Sequence, residues 1–257
     1  MEKKWVIKEK GDPAVVKQLA ATLGVSESLA NLMVQRNITT REEALAFFEP
    51  DLRYLHDPFL MKDMNIAVER ISTAIKKNER ILVYGDYDVD GTTAVALMYS
   101  FLKELYSNVD YYIPDRYKEG YGVSFQGIDF AFQNNCRLMI TLDCGIKAVE
   151  KVKYARTKGI DVIVCDHHYP GDEIPKAAAV LDPKQPGCNY PYKELSGCGV
   201  GFKLVHAYSR VHGMPFSRIA GYLDLVAVSI ASDIVPLTGE NRVLAYFGLK
   251  HLNENPR

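Results

Sequence analysis

The sequence lacks the features that would set it apart from ordinary globular proteins. Nowhere in its 257 residues does an apolar run approach the roughly 20 residues of a membrane-spanning helix. Met1-Glu2-Lys3-Lys4 is not followed by the apolar stretch of a secretory signal. No membrane association is expected, and the cytoplasm is the expected location. The five cysteines (Cys136, Cys144, Cys165, Cys188 and Cys198) form no CxxC pair, and their odd number argues against a disulfide framework. They read as reduced thiols, with Cys144 and Cys165 as small buried side chains at the ends of apolar runs. Neither sign of charge prevails: 31 Lys and Arg against 32 Asp and Glu leave a formal net charge of -1. No global field therefore draws the chain to nucleic acid. A polyanionic substrate must be held by a local site, by metal ions or by protein outside this chain. Repeats, low-complexity tracts and Gly/Ser linkers are missing, as are the motifs G-x-x-x-x-G-K-[ST], H-E-x-x-H and G-x-S-x-G.

What is present divides by pattern. Residues 1–60 read as a helical lead-in, because Val15, Val16, Leu19, Ala20 and Leu23 recur at helical spacing. Ser26 is a candidate cap, and Thr40 with Glu43 forms a capping box ahead of Ala44, Leu45 and Phe47. Short helices in series suggest a helix-turn-helix reader, but the segment shows no basic recognition face. From Met64 onward, amphipathic helices alternate with short apolar strands predicted at Ile81–Tyr84, Val109–Ile113, Leu138–Leu142, Val162–Cys165 and Ala178–Leu181. Strands apolar on both faces, alternating with helices, predict an α/β fold: a parallel five-stranded sheet with helices on both faces, preceded by the small helical lead-in. Further helices are predicted over 200–211, 219–230 and 242–252.

The acids fall at the strand ends. Ile81–Tyr84 runs into Gly85-Asp86-Tyr87-Asp88-Val89-Asp90-Gly91, Leu138–Leu142 into Asp143-Cys144-Gly145, and Val162–Cys165 into Asp166-His167-His168. The carboxyl ends of parallel strands share one edge, where ligands bind, so three separate segments deliver carboxylate and imidazole to one place. Like charges that close raise one another's pKa, and divalent metal resolves the conflict. Oxygen and imidazole donors without a thiolate motif suit Mn²⁺ or Mg²⁺ better than structural zinc. Each acid alone reads equally as a helix cap or turn residue; the coincidence of three clusters does not. Asp86–Gly91 also opens like a calcium EF-hand loop, but position twelve is Leu97 and a strand precedes it. Neighbouring His167 and His168 should diverge, one binding metal while the other faces substrate or supports the site. Gly197-Cys198-Gly199-Val200-Gly201, ahead of a helix, is read either as amides presented to a phosphate or as a packing device.

These residues, together with Pro114-Asp115-Arg116-Tyr117, Glu119-Gly120-Tyr121-Gly122, Gly199–Leu204 and Ala231–Leu237, carry a resemblance over nearly the whole chain. It resembles the DHH phosphoesterase family, named for the triplet Asp166-His167-His168, and within it the bacterial exonucleases specific for single-stranded DNA. The resemblance implies a DHH domain over 61–257 and two ions, Mn²⁺ or Mg²⁺. It implies that Asp88 binds one ion and Asp90 the other, that Asp143 bridges them, and that His167 and Asp233 complete the second ion's ligands. Asp86 and Asp166 become further ligands or supporting acids, His168 faces the scissile phosphate, and Arg116 is a candidate grip on substrate phosphate. The implied function is 5′ to 3′ hydrolysis of single-stranded DNA in repair and recombination, with a single-strand-binding protein and a helicase as candidate partners. Such relatives continue into C-terminal substrate-binding domains, so this chain is expected to hold the metal domain without them. Two alternatives remain within the resemblance. One is a phosphoesterase acting on oligoribonucleotides, cyclic dinucleotides or pyrophosphate; the other is a non-catalytic replication scaffold, which the presence of all five expected ligands disfavours.

Overall fold

The structure, a computed structural model, describes residues 4–255. The chain divides between Tyr54 and Leu55 into two compact units.

The first unit holds three short helices, α1 (Pro13–Leu23), α2 (Glu27–Val34) and α3 (Arg41–Phe48). Their ends follow from local chemistry. Asp12 accepts from the Ala14 and Val15 amides, Ser26 accepts from Leu29, and Thr40 with Glu43 completes the predicted capping box. Val16, Leu19, Ala20, Ala30, Met33, Ile38 and Ala44 form its small core.

The second unit is built on five parallel strands: β1 (Arg80–Gly85), β2 (Val109–Tyr112), β3 (Cys136–Leu142), β4 (Asp161–Cys165) and β5 (Ala179–Leu181). Their order is β2-β1-β3-β4-β5. Each predicted strand is found within a residue or two of its expected ends, the scatter usual at element termini. Leu82, Tyr84, Met139, Val162 and Val164 pack on one face against α6 (Phe125–Gln133) and α7 (Val149–Thr157). Ile81, Val83, Leu138, Ile140 and Ile163 alternate to the other face, covered by α4 (Met64–Lys76), α5 (Val89–Leu105) and α8 (Gly197–Val211). Full burial of such side chains contributes about 1.5–3 kcal/mol each, which is why these runs carry no polar alternation. Beyond α8 the helix predicted over 219–230 is interrupted. A short α9 (Phe216–Ile219) passes through a single 3-10 turn at Ala220–Tyr222 into α10 (Leu223–Asp233), with Gly221, a poor helix former, inside the turn. Helix α11 (Gly239–Glu254) packs on α10. Among the described residues no helix is long and apolar enough to cross a membrane.

Two features of this unit aim the loops. The sheet order reverses direction between β1 and β3, so their following segments part to opposite sides and leave a crevice at the carboxyl edge. Helix α11 is locked to α8 by a fully buried pair, Lys203 Nζ on Glu240 Oε1 at 2.8 Å; Glu240 also accepts from the His56 amide and the Tyr190 hydroxyl.

Candidate metal centre

The β1, β3 and β4 ends meet at the crevice. Asp88 is the N-cap of α5, its Oδ1 accepting from the Gly91 amide at 2.9 Å. That cap needs the first turn of α5 to lie against the strand end. A Cβ on Gly91 would fall 2.5 Å from the Asp86 carbonyl oxygen, so only glycine permits the approach. Asp90, two residues on, is thereby turned into the fold, where it is 3% exposed. After β3, Asp143 takes a left-handed conformation, φ 59°, with its amide donating to the Cys165 carbonyl of β4. This puts its carboxylate under β4's own extension, Asp166-His167-His168.

His167 is the hub. Its Nε2 lies 3.2 Å from Asp143 Oδ1, 3.6 Å from Asp233 Oδ2 and 3.8 Å from Asp90 Oδ2. Ligand atoms of Asp90, His167 and Asp233 all lie within 4.8 Å of one another, as do those of Asp143, His167 and His168. The two histidines do not diverge as expected: their ring centroids lie 4.5 Å apart, and both offer a ligand atom to one group with Asp143. His168 donates through Nδ1 to Asp166 Oδ1 at 2.7 Å, leaving its Nε2 toward the Tyr121 hydroxyl at 3.5 Å.

The remaining predicted acids are occupied by backbone. Asp86 is fully buried, its Oδ1 accepting from the Tyr87 amide and its Oδ2 from the Gly122 amide. Asp166 accepts from the amides of Ile146, His167 and His168 as well as facing the His168 ring. Both therefore act as clamps, Asp86 on the loop after β2 and Asp166 on His168. Asp88 belongs to neither close ligand group, though its charge is felt at Asp143.

Electrostatics test whether a cation fits. Burial, reinforced by the carboxylates of Asp90, Asp88 and Asp166, pushes Asp143 up to about 11. Burial likewise raises Asp90, despite the amides of Cys198 and Gly197 and the nearby His167. At Asp166 burial is outweighed by the His168 ring and the amides, which hold it below the usual carboxylate range; Asp166 in turn raises the pKa of His168. Asp143 Oδ1 and both ring nitrogens of His167 are buried without completing a hydrogen bond. Buried polar atoms are rarely left so. Orphaned oxygen and nitrogen donors pointed at one spot, among acids that burial opposes, are what a divalent cation satisfies, and the donor set fits Mn²⁺ or Mg²⁺.

Arg116 stands outside this cluster, exposed, its guanidinium 5.3 Å from the Tyr87 ring centroid. Tyr87 meets Tyr121 edge-on at 5.9 Å, and Tyr121 meets His168 at 6.2 Å. The loop is held in place by Tyr84, whose hydroxyl donates to the Gly122 carbonyl, and by Glu119, which accepts from Tyr112, Ser124 and the Asp115 amide. Arg116 is thus linked to the cluster through two aromatic rings.

One feature escaped sequence reasoning, and two others were read only in part. Asp182, at the end of β5, is fully buried with Oδ2 unpartnered, and burial pushes it up to about 7. Its position one residue past an apolar run was the available signal. Asp233, supplied by the resemblance, is the last residue of α10, and nothing in its spacing announces it. The Gly197–Gly201 run does present amides, but to protein: Gly197 and Cys198 donate to Asp90 Oδ2 and Oδ1 at 2.7 and 2.8 Å. The run also serves packing, since a Cβ on Gly197 would sit 2.6 Å from Asp143 Oδ1. All five cysteines are free and buried.

The chain is similar to known proteins in sequence and fold. The single-stranded-DNA-specific exonuclease RecJ of Bacillus subtilis is 43% identical over 254 residues, covering 99% of this chain and 31% of the relative. RecJ of Escherichia coli is 40% identical over 72% of this chain and 34% of its own length. The chain thus spans about a third of the length of these relatives. Among solved structures, an exonuclease RecJ bound to manganese superposes with a TM-score of 0.70 at 34% identity, covering 79% of this chain and 50% of that one. RecJ of Thermus thermophilus in complex with Mn²⁺ superposes with a TM-score of 0.78 at 29% identity, covering 95% and 34%. The profile of the DHH family, N-terminal domain, matches residues 80–230, a stretch that opens at β1 and includes every clustered acid and histidine except Asp233. More than half of the sequence falls within that match, and the chain belongs to the DHH family.

Proposed function

We propose that this chain carries the two-metal site of an exonuclease that hydrolyses single-stranded DNA from the 5′ end, in the cytoplasm, in the service of repair and recombination. The observation that supports it most directly is the convergence of Asp90, Asp143, His167 and Asp233 around one point, with ligand atoms left unpartnered. The relatives named for this activity, and the manganese in the solved structures, point the same way. In this reading residues 61–257 are the DHH domain and residues 1–60 its helical lead-in, a boundary a few residues beyond the division between Tyr54 and Leu55. Asp90, His167 and Asp233 would hold one ion; Asp143 and Asp88 would hold the other, with Asp143 between them. When bound, two such ions, Mn²⁺ or Mg²⁺, would supply the Lewis acidity that activates a water and offsets charge on the leaving 3′ oxygen.

The protein's own groups do the rest. His168, kept basic by Asp166, offers a proton at Nε2 to an oxygen of the scissile phosphate. Arg116, steadied over Tyr87, grips a neighbouring phosphate; Tyr121, edge-on to Tyr87, offers a ring face to a base. A net charge of -1 gives no long-range attraction, so these local contacts, and partners such as a helicase or a single-strand-binding protein, bring substrate to the site. The test is Mn²⁺-dependent release of label from 5′-labelled single-stranded DNA, short RNA and pyrophosphate, compared side by side. Preference for DNA is expected; preference for either of the others, by a protein that binds the metal, overturns the substrate assignment.

A further inference from the structure

Helix α10 carries two polar side chains four residues apart, which places them on one face a single turn from each other. Asp233 reaches the His167 ring. Ser229, fully buried, has its Oγ 2.7 Å from Asp90 Oδ1 and 2.6 Å from Ser196 Oγ. Ser196 is the N-cap of α8 and its Oγ accepts from the Gly199 amide at 3.1 Å.

A carboxylate only accepts, so the Ser229 hydroxyl donates to Asp90 Oδ1. The same hydroxyl also faces Ser196 Oγ, which accepts from the Gly199 amide. With the Gly197 and Cys198 amides, Asp90 receives three donors, two on Oδ1 and one on Oδ2. Its Oδ2, the less committed oxygen, is the one that faces His167.

We infer that the Ser229 and Ser196 hydroxyls form a latch that fixes the Asp90 carboxylate and ties it to α10, so that Asp90 and Asp233 face the same cation. Ser229 is a positioning residue for the Asp90, His167 and Asp233 group; it touches neither substrate nor metal. The inference rests on the two-metal reading above. It gives a role to a serine buried at 0% exposure in α10. It also gives a reason for a ligand at the very end of α10 to be held in place: the helix is pinned one turn earlier to another ligand.

The experiment is calorimetric titration of Mn²⁺ into the metal-free chain, paired with thermal unfolding without metal. Wild type is expected to take up two ions. Ser229→Ala is expected to weaken one of them by about 10- to 100-fold, the usual effect of removing a partner that orients a ligand. The other ion and the metal-free melting temperature should stay near wild type, and Ser229→Thr, which keeps the hydroxyl, should restore binding. Should Ser229→Ala fail to fold, Ser229→Cys, similar in size but a poor donor, replaces it with the same expectation. Wild-type affinity for both ions in the variant overturns the latch and leaves the two-metal reading standing. So does equal weakening of both ions together with a lowered melting temperature, the mark of a packing role alone. A wild-type chain that binds no Mn²⁺ overturns the two-metal reading itself, and the latch with it.

Discussion

Replacing Lys203 with methionine removes one half of an ion pair in which both side chains are completely buried. The ammonium donates to Glu240 Oε1 at 2.8 Å and to the His56 carbonyl at 2.7 Å. Burial lowers its pKa and Glu240 draws it back up, so the pair is held by mutual compensation rather than by water. Methionine fills similar volume, which isolates the electrostatic loss from a cavity. Glu240 keeps the His56 amide and the Tyr190 hydroxyl but no counter-charge. Breaking a buried pair from one side costs about 3–5 kcal/mol. For a unit of this size each kcal/mol lowers the melting temperature by about 2–4 °C, so a fall on the order of 10 °C is expected. Urea unfolding at neutral pH measures it directly. The double variant Lys203→Met with Glu240→Gln removes both charges while leaving an acceptor for Tyr190, and should recover part of the loss. If Lys203→Met costs less than about 1 kcal/mol, the range of an exposed pair, the buried-pair reasoning is refuted.

Other expectations follow from the site and its surroundings. Asp143→Asn should abolish tight Mn²⁺ binding while the metal-free protein melts no lower than wild type, since a carboxyl that burial and three acids oppose is replaced by a neutral isostere; calorimetry and a melting curve read both halves. Gly197→Ala drives a methyl toward Asp143 and should weaken Mn²⁺ binding by about 10-fold or more, a result that retained wild-type affinity would contradict. Half-buried His206, with its Nδ1 unpartnered beside Phe216, has its pKa lowered to about 4 by burial, with Lys203 and Arg210 adding to the shift and Asp57 opposing it. The unfolded chain, titrating near 6.5, then binds the extra proton first, so the stability that this group contributes is full above that pH and is lost as pH drops toward 4. Allowing for partial exposure, about 1–2 kcal/mol should be lost across that window, and His206→Phe should flatten this part of the pH curve. In the proposed exonuclease, Arg116→Ala should raise KM for 5′-phosphorylated single strands far more than it lowers kcat.

The fold was legible where the physics is local. Strands buried on both faces must be continuously apolar, so Ile81–Tyr84 and Leu138–Leu142 announce themselves. Caps such as Ser26 and the pair Thr40 and Glu43 satisfy amides within three residues, and sequence shows them directly. The clustering of Asp90, Asp143 and His167 followed from one geometric rule, that parallel strands end on a common edge. What sequence could not show is pairing at a distance. The Gly197 amide finds Asp90 across 107 residues and Ser229 finds it across 139; neither contact leaves a periodicity. Asp233 was supplied by family resemblance alone. The roles of Asp86 and Asp166 as clamps depend on amides of Gly122 and Ile146, whose direction is set by loop conformation. The break in the helix predicted over 219–230 turned on Gly221, a single residue that pattern reading passes over.

The proposed function requires cations shared by side chains that arrive from β1, β3, β4 and α10. Crystals of this chain soaked in manganese and measured at the metal's absorption edge test it most directly. Two anomalous peaks are predicted at the carboxyl edge of the sheet, one bounded by Asp90, His167 and Asp233 and the other reached by Asp88, with Asp143 touching both. Full soaking with no peak among these residues, or with manganese only elsewhere on the molecule, contradicts it.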